Sequence, residues 1–440
     1  MAPELIVLLM FLGLIGGLLL GHPVAFVLAG LAVIVGYFGM GPHIWPLFVN
    51  RTWAVATNHL LIAIPLFIFM AAILERSGIA EGLFRALMHL FGAMNGSIAL
   101  AVVVLSTVFA AVTGVMGATV VSMSLMALPT MLRHGYSKSL ATGTIAAGGT
   151  LGIIIPPSIM LILMADQSTS SVGKLFAGGL VPGVILAFLY FTYIATTTWL
   201  DPRTGPALSE EERAALSTPE LIRMLLVSMV PPLMLIFGVL GSLWMGVATP
   251  TEASGIGAFV ALLLMIAYGR FSWATFVEAV RQSTRTSCMV IAVIIGASLF
   301  TVVFLGIGGG RVATDLVTTF EAFGRWSVFA VMMLIVFALG FLIDWIGIIL
   351  ITFPIFLPIA RSLGFDEVWF ILMIAVNLQA SFLTPPVGYA LFYIKGTAPS
   401  SVRLWDIYRG VVPFVLLQLL AIVLLAVFPD LVTFLPNLVR

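Results

Sequence analysis

Two pairs of adjacent prolines are the residues best able to create a binding site in this sequence. The pairs Pro156–Pro157 and Pro385–Pro386 lie inside long apolar segments. Because proline lacks an amide hydrogen and blocks the carbonyl four residues earlier, each pair should interrupt a helix, over residues 152–157 and 381–386. Freed carbonyl oxygens can coordinate a cation, and a helix that restarts presents its positive end to an anion. The alternative is that the prolines only kink packed helices.

A few polar side chains lie near these interruptions or at the tips of predicted hairpins. Asp344 is the strongest single candidate, because an ionisable group in an apolar segment indicates a functional site. The alternative is that its carboxylate caps a helix. Asn377 and Gln379 precede the second interruption and could hydrogen-bond a substrate or another helix. The hydroxyl of Thr113 could join carbonyl groups at a cation site.

The sequence lacks the residue patterns needed for metal binding by histidine or cysteine, disulfide formation, catalysis or nucleic-acid binding. The five histidines have no metal-ligand spacing, and Cys288 is the single cysteine. The sequence has no paired catalytic carboxylates and no nucleophile with a plausible base, so we expect no enzymatic activity. A net charge of +1 gives no electrostatic footprint for nucleic acid.

The elements that position these residues must cross a lipid bilayer. Of 440 residues, 61% are hydrophobic and only 8% are charged, against about 25% charged in soluble proteins. Apolar runs long enough to cross hydrocarbon recur along the chain and are too long for barrel strands, which predicts an all-α integral membrane protein. The first run, residues 5–20, has neither a preceding basic residue nor a cleavage site, so we interpret it as a span rather than a signal peptide.

Ten full crossings and two re-entrant hairpins are predicted. The crossings are residues 4–20, 23–38, 60–75, 140–164, 175–200, 224–244, 250–268, 287–305, 368–393 and 411–428. Two pairs of apolar segments are shorter than the roughly 20 residues of a span, and predict hairpins at 96–131 and 327–359 with tips at 113–116 and 342–345. Amphipathic segments 79–91 and 271–285 should lie along the membrane interface.

The sequence also contains an internal repeat. Residues 128–158 align without a gap with residues 357–387 at a constant offset of 229, and prolines and a turn glycine dominate the identities. The halves 1–200 and 221–440 then each hold five transmembrane helices and one re-entrant hairpin, with a connector at 201–220. Because five is odd, the second copy is inverted, which is typical of alternating-access transporters.

The basic residues predict the orientation in the membrane. Thirteen of the 19 lysines and arginines fall in segments that are internal if the amino terminus faces outside. The positive-inside rule therefore favours both termini outside, which is the periplasmic side of an inner membrane, and a cytoplasmic connector.

Together these motifs resemble a known family. The segment GVATPTEASG, the interruptions GTLGIIIPPS and NLQASFLTPPVG, and the hairpin segment FAAVTG are similar to the DctM-like large membrane subunit of tripartite ATP-independent periplasmic (TRAP) transporters. The resemblance runs from the first crossing to the last. It implies an elevator-type transporter of the bacterial inner membrane, in which a transport domain with both hairpins slides against a scaffold domain.

The resemblance also implies a function and partners. It predicts sodium-coupled import of a small organic acid, with Na+ as coupling ion, a small four-helix membrane subunit and a periplasmic substrate-binding protein. No such subunit is visible at either end of the chain, so we expect a separate polypeptide. A single-component symporter of the same elevator type, a membrane-embedded enzyme and a passive assembly scaffold are the alternatives. The sequence does not choose the acid, although the lack of positive charge at the hairpin tips favours a monocarboxylate.

Carried over from the family, two sodium sites fall between each hairpin and the interruption opposite it. The first would use Thr113 with the carbonyls of Met116, Gly152, Ile155 and Pro157. The second, placed by the repeat offset, would use Asp344 or Trp345 with Ser381, Thr384 and Pro386. The predicted substrate contacts are Gly114, Thr150, Asn377 and Gln379. At the first tip Val115 and Met116 replace the small hydroxyl residues common in the family, which leaves a carbonyl ligand in place.

Overall fold

The structure is a computed structural model that describes residues 3–114, 116–385 and 388–439, with the backbone alone at residues 3 and 111–113. Within these ranges, every element of regular secondary structure is a helix. The first half contains α1 (Pro3–Leu19), α2 (Val24–Met40), α3 (Ile44–Ala56), α4 (Ala63–Arg76), α5 (Ile79–Leu90), α6 (Ser97–Thr113), α7 (Met116–Arg133), α8 (Lys138–Thr150), α9 (Ile159–Asp166) and α10 (Val172–Leu200), followed by α11 (Glu210–Ala214) in the connector. The second half contains α12 (Thr218–Trp244), α13 (Pro250–Ala267), α14 (Trp273–Gly306), α15 (Gly309–Thr318), α16 (Arg325–Leu339), α17 (Trp345–Ser362), α18 (Glu367–Leu383), α19 (Tyr389–Thr397), α20 (Leu404–Val427) and α21 (Asp430–Leu438).

The outer surface of this helical assembly is apolar. In the described part of the chain, eight helical segments are long and apolar enough to cross a membrane. Large apolar side chains point outwards, with Phe38 82%, Phe188 67% and Phe237 63% exposed. A soluble monomer does not leave extended apolar surface of this kind in water. The chain is therefore an all-helical, multi-pass membrane protein, which confirms the class predicted from its composition.

Each predicted crossing coincides with a helix, or with two helices where an interruption was predicted. The crossing at 140–164 is the pair α8 and α9, and the crossing at 368–393 is the pair α18 and α19. The four short segments predicted as hairpin arms are α6, α7, α16 and α17. Because α17 has enough length to cross a membrane by itself, the placement of the hairpin tips inside the bilayer stays a prediction.

Some helices differ from the prediction. Residues 271–285 were expected to form an interfacial strut apart from the crossing at 287–305, but both belong to the single 34-residue helix α14. The separation was wrong because no glycine or proline occurs between residues 273 and 295 to end the helix. Helices α3 and α21 were not predicted at all.

Helix boundaries recur at the spacing found in the sequence. When the second half is shifted back by the offset of the repeat, α17 begins and ends at the same positions as α7, α18 begins with α8, and α14 begins with α3. In α6–α10 and again in α16–α20, two short helices are followed by an interrupted helix and then by a long continuous one. These two segments therefore share one order of elements.

The interrupted helices form the centre of the molecule. Every residue of α8 from Leu140 to Thr150 is buried, and so is every residue of α18 from Trp369 to Leu383. Helix α8 touches α20 through glycines, since a Cβ added to Gly143 would lie only 2.1 Å from the carbonyl oxygen of Gly410. Small residues are what allow membrane helices to approach so closely.

The connector is folded against the ends of α6 and α7. The amide of Gly96, at the start of α6, donates to the carbonyl of Gly205 at 2.7 Å. In α11, a carboxylate oxygen of Glu212 lies 2.9 Å from Nε2 of His134, which follows α7. The hydrogen bond with His134 lowers the pKa of the Glu212 carboxyl. The polar connector thus contacts the start of α6 and the residue that follows α7.

Candidate functional site

The first predicted interruption is present in the structure. Helix α8 ends at Thr150, a single 3-10 turn covers Leu151–Ile153, and α9 begins at Ile159. Inside the gap, the amide of Ile155 donates to the carbonyl of Leu151 at 3.0 Å. The proline pair leaves a short stretch of non-helical backbone here, in a segment where every residue is buried. Such backbone is tolerated in membrane proteins where it lines a cavity or is covered by protein.

The turn between α6 and α7 packs directly on this interruption. Gly114 ends α6 in the left-handed conformation, with φ of 57°. A Cβ at Gly114 would lie 3.1 Å from the carbonyl oxygen of Pro157, and a Cβ at Gly152 would lie 3.5 Å from Cα of Ala110. Glycine at position 114 therefore permits both the turn and the close approach. The structure brings together Gly114, Gly152 and Pro157 from the predicted set.

The other residues predicted around the first interruption are placed as follows. Met116 begins α7 and is half-buried, whereas the side chain of Ile155 is 3% exposed. The backbone of Thr113 ends α6, and its side chain lies outside the described part of the structure, as does Val115. The side chains of Met116 and Ile155 are apolar, so these two residues could bind a cation only through their main-chain carbonyl oxygens.

The second interruption begins later than predicted. Helix α18 continues to Leu383, so Ser381 is still helical, and the non-helical stretch starts at Thr384 because the proline pair begins only at the next residue. The hydroxyl of Thr384 donates to the carbonyl of Ala380 at 2.8 Å, and the hydroxyl of Ser381 donates to the helix in the same way. Each hydroxyl oxygen keeps lone pairs that can face a cation. Pro386 lies outside the described residues.

The end of α16 packs on the second interrupted helix as α6 packs on the first. A Cβ at Gly340, directly after α16, would lie 2.0 Å from the hydroxyl oxygen of Ser381. At the repeat offset, Ser381 corresponds to Gly152, and Gly340 corresponds to the residue after Ala110. The two contacts are therefore similar, although they are displaced by one position relative to the repeat offset.

Asp344 occupies the turn before α17. It is half-buried at the N-cap position, beside the backbone amides of the first two residues of α17, and Trp345, the first of these, is half-buried too. The carboxylate interacts electrostatically with Tyr389 and Tyr393 of α19. The ring of Tyr393 also reaches α7, since a Cβ at Gly117 would lie 3.1 Å from its hydroxyl oxygen. Tyr393 therefore stands between the two hairpin turns.

The predicted substrate contacts Thr150, Asn377 and Gln379 are in the interior. Nε2 of Gln379 donates to Oγ1 of Thr150 at 3.2 Å, although 229 residues separate the two in sequence. Nδ2 of Asn377 donates to the carbonyl of Met333 in α16 at 2.7 Å. These bonds join helices, and a role in substrate binding stays a prediction for all three residues.

A cleft of about 990 Å³ opens beside the first hairpin, between α4 and α5 on one side and α7 on the other. Its ionisable lining residues, of both signs, are Glu75, Glu81, Arg85, Arg133, His134 and Glu212. The hydroxyl of Ser122 in α7 donates to the carboxylate of Glu75 at the end of α4. The sequence analysis did not single out this contact; an ionisable residue at the end of an apolar crossing was the available signal.

A family model described as "Tripartite ATP-independent periplasmic transporter, DctM component" matches residues 11–431. The chain belongs to this family. TRAP permeases of this kind work with a small membrane subunit and a periplasmic binding protein. The match confirms the resemblance found in the sequence motifs, and it accounts for the lack of enzyme-like chemistry, since the relatives are transporter permease subunits.

Curated relatives align with nearly the whole permease. The C4-dicarboxylate TRAP transporter large permease protein DctM of Rhodobacter capsulatus is 29% identical over 98% of this chain and 99% of that protein. The 2,3-diketo-L-gulonate TRAP transporter large permease protein YiaN of Escherichia coli is 28% identical over 96% and 97%. The sialic acid TRAP transporter large permease protein SiaM of Vibrio cholerae is 26% identical over 87% of both.

Two solved structures share the fold of this TRAP permease. The YdaH transporter of Alcanivorax borkumensis superposes with a TM-score of 0.64 at 12% identity, covering 97% of this chain and 98% of that one. MtrF of Neisseria gonorrhoeae superposes with a TM-score of 0.57 at 14% identity, covering 88% and 83%. The likeness establishes a transporter fold for the arrangement of helices described above.

Proposed function

We propose that this chain is the large permease subunit of a sodium-coupled TRAP importer for a small organic acid. The observation that carries the proposal is the recurrence of one contact in both halves. The contact of Ala110 with Gly152 and that of Gly340 with Ser381 each set the end of a short helix against an interrupted helix. Two such contacts beside interrupted helices in a membrane interior favour binding of small ions rather than simple packing.

Two sodium ions would occupy these two places. Sodium is a hard cation that prefers oxygen ligands. Both proposed sites would offer carbonyl and hydroxyl oxygens, and the second would add the carboxylate of Asp344. The proposed ligands of the first site are Thr113, Met116, Gly152, Ile155 and Pro157, and those of the second are Asp344 or Trp345 with Ser381, Thr384 and Pro386. Substrate would bind between the sites, with Gly114, Thr150, Asn377 and Gln379 as its proposed neighbours.

Transport would proceed by an elevator motion. In this proposal the two halves are inverted copies, the hairpins α6–α7 and α16–α17 move with the interrupted helices, and α1–α4 with α12–α14 form the scaffold. In this division the cleft between α4, α5 and α7 would lie along the boundary between the two domains. Both termini would be periplasmic, because Arg85 and Arg133 in the cleft then belong to the positively charged cytoplasmic side.

The proposed substrate class is a carboxylate. The relatives are named for C4-dicarboxylates, diketo-gulonate and sialic acid, all of which are organic acids. The two predicted hairpin tips contain no lysine or arginine, so a single carboxylate, compensated by sodium, fits them better than a substrate with two. A separate small membrane subunit and a periplasmic binding protein would complete the importer in the bacterial inner membrane.

Reconstitution into liposomes tests the proposal. The permease, its small membrane subunit and its binding protein should import labelled organic acid when sodium is higher outside, and not when potassium replaces sodium. Thr384→Ile or Thr113→Ile should raise the sodium concentration for half-maximal uptake about tenfold, the loss expected for one ligand to a charged group.

Thr196→Ile is the matched control, because Thr196 makes the same bond to its own helix, at 2.8 Å, on the exposed side of α10. Uptake that is independent of sodium in the unchanged complex would refute the coupling. Uptake by the permease alone would instead favour a single-component symporter.

A further inference from the structure

Four polar side chains meet in the centre of the molecule. Thr150 at the end of α8 and Gln379 in α18 are joined by the hydrogen bond described above. The hydroxyl of Tyr190, in α10, lies beside Thr150 and beside Gln418 of α20. All four residues have 0% exposure. We refer to these four residues as the central polar cluster.

The cluster lies where corresponding positions of the two halves meet. Thr150 and Gln379 are separated in sequence by the repeat offset itself, and Tyr190 and Gln418 are separated by one position less. Helix boundaries recur at the same offset. The cluster therefore takes one interrupted helix and one long helix from each half. A substitution of any of the four residues therefore alters a contact region that both halves share.

Packing alone does not explain polar residues at this place. The ring of Tyr190 packs edge-to-face on Phe414, with centroids 5.2 Å apart, so a phenylalanine would keep that contact. Within the described part of the chain, Oε1 of Gln379, the hydroxyl of Tyr190 and both amide atoms of Gln418 are buried without a hydrogen bond of ordinary geometry. Burying incompletely bonded polar groups costs free energy, which apolar side chains of similar size would avoid.

We infer that Tyr190 and Gln418 are positioning residues for both proposed ion sites; this inference rests on the proposed function. Thr150 comes two residues before Gly152, and Gln379 comes two residues before Ser381. The bond between Thr150 and Gln379 fixes the end of α8 relative to α18. Tyr190 of α10 lies beside Thr150, and Gln418 of α20 lies beside Tyr190, so each long helix contributes one residue to the surroundings of this bond. One cluster would in this way set the two sites in register.

Two substitutions test the inference with little change in volume. Tyr190→Phe and Gln418→Leu are each measured in the complex with the small membrane subunit and the binding protein. Each should raise the sodium concentration for half-maximal uptake about three- to tenfold, the effect of losing one buried hydrogen-bonding group. The Hill coefficient for sodium should fall towards about 1, because the sites no longer share a fixed geometry. The sodium concentration that half-stabilises the purified permease against heat should rise in parallel.

Tyr193→Phe is the control. Tyr193 lies on the same helix and packs on the same ring, Phe414, at 5.2 Å, but is half-buried and outside the cluster. If Tyr190→Phe and Gln418→Leu change heat stability but shift sodium dependence no more than Tyr193→Phe does, the cluster serves packing only and the inference is overturned. A lack of any sodium response in the unchanged permease would overturn the proposed function, and the inference with it.

Discussion

The two interrupted helices share a backbone plan but differ in side chains. At the first, Gly152 faces Ala110 and Gly114 faces the carbonyl of Pro157, so main-chain oxygens dominate the described surroundings. At the second, the hydroxyls of Ser381 and Thr384 are present, and the carboxylate of Asp344 stands in the opposite turn. A cation at the proposed first site would depend mainly on main-chain oxygens, with the hydroxyl of Thr113, whereas one at the second would depend more on side chains.

A third proline pair shows what makes an interruption. Pro231 and Pro232 lie inside α12, which continues without a gap from Thr218 to Trp244. In the first interruption, by contrast, the proline pair is preceded by three glycines within nine residues and is covered by the turn at Gly114. A proline pair alone therefore does not end a membrane helix; at the first interruption, glycine-rich sequence and a covering turn accompany the gap.

The largest effect is expected from Asp344→Asn. If the second site depends on this carboxylate, the sodium concentration for half-maximal uptake should rise about tenfold to a hundredfold, because a bond to a charged group is worth roughly 1.5–3 kcal/mol. Sodium titration of uptake measures this. Glu81→Gln, a carboxylate of the cleft away from either interruption, is the control. Equal shifts in both variants would contradict the distinction between the two sites.

Gly340→Ala and Gly152→Ala compare the packing of the two sites. The new methyl group at Gly340 would lie 2.0 Å from the hydroxyl of Ser381, whereas at Gly152 it would lie 3.5 Å from Ala110. We expect Gly340→Ala to lower the free energy of unfolding by about 1–3 kcal/mol, as overpacking does. Gly152→Ala should change it by less than about 0.5 kcal/mol.

Thermal unfolding in detergent measures the stability of the Gly340→Ala and Gly152→Ala variants. Adding Ser381→Gly to Gly340→Ala should restore the stability, because it removes the atoms that clash. Failure of this rescue would show that the close contact is not the cause.

A smaller effect is expected from Pro231→Ala in α12. Because this helix is continuous, the substitution should change stability by no more than about 1 kcal/mol and leave the sodium dependence of uptake unchanged. Sodium titration of the variant, with Gly255→Ala in α13 as a scaffold control, provides the measurement. A shift in sodium dependence would mean that α12 also contributes to ion binding.

The smallest effect is expected at the connector. The bond with His134 lowers the pKa of Glu212, so its contribution to stability is present above the ordinary carboxyl pKa and is lost as pH falls through the lowered value. Because the pair is largely exposed, Glu212→Gln should cost no more than about 0.5 kcal/mol at neutral pH. Thermal unfolding at pH 7 and pH 3 should show the difference between the variant and the unchanged chain only at pH 7. Glu211→Gln is the control.

Much of the fold follows from the sequence because bilayer thickness dictates helix length. The apolar runs located every predicted crossing, and the proline pair at residue 156 located the gap between α8 and α9. Local pattern was insufficient where no residue marks a boundary, as in α14. The contact of Glu75 with Ser122 and the proximity of Tyr190 to Gln418 were not predictable, because they involve helices that are distant in sequence.

The docked connector sets a limit on how far the proposed carrier domain can travel. Helix α11 is tied to the end of α7 through Glu212 and His134, and α12 begins at Thr218. Only residues 215–217 are left as a free joint. Three residues, fully extended, reach roughly 10 Å, which is far less than the thickness of the hydrocarbon layer. A longer stroke of the proposed carrier domain would therefore require α11 to separate from α7. The length of residues 215–217, rather than the thickness of the membrane, would then limit the proposed movement.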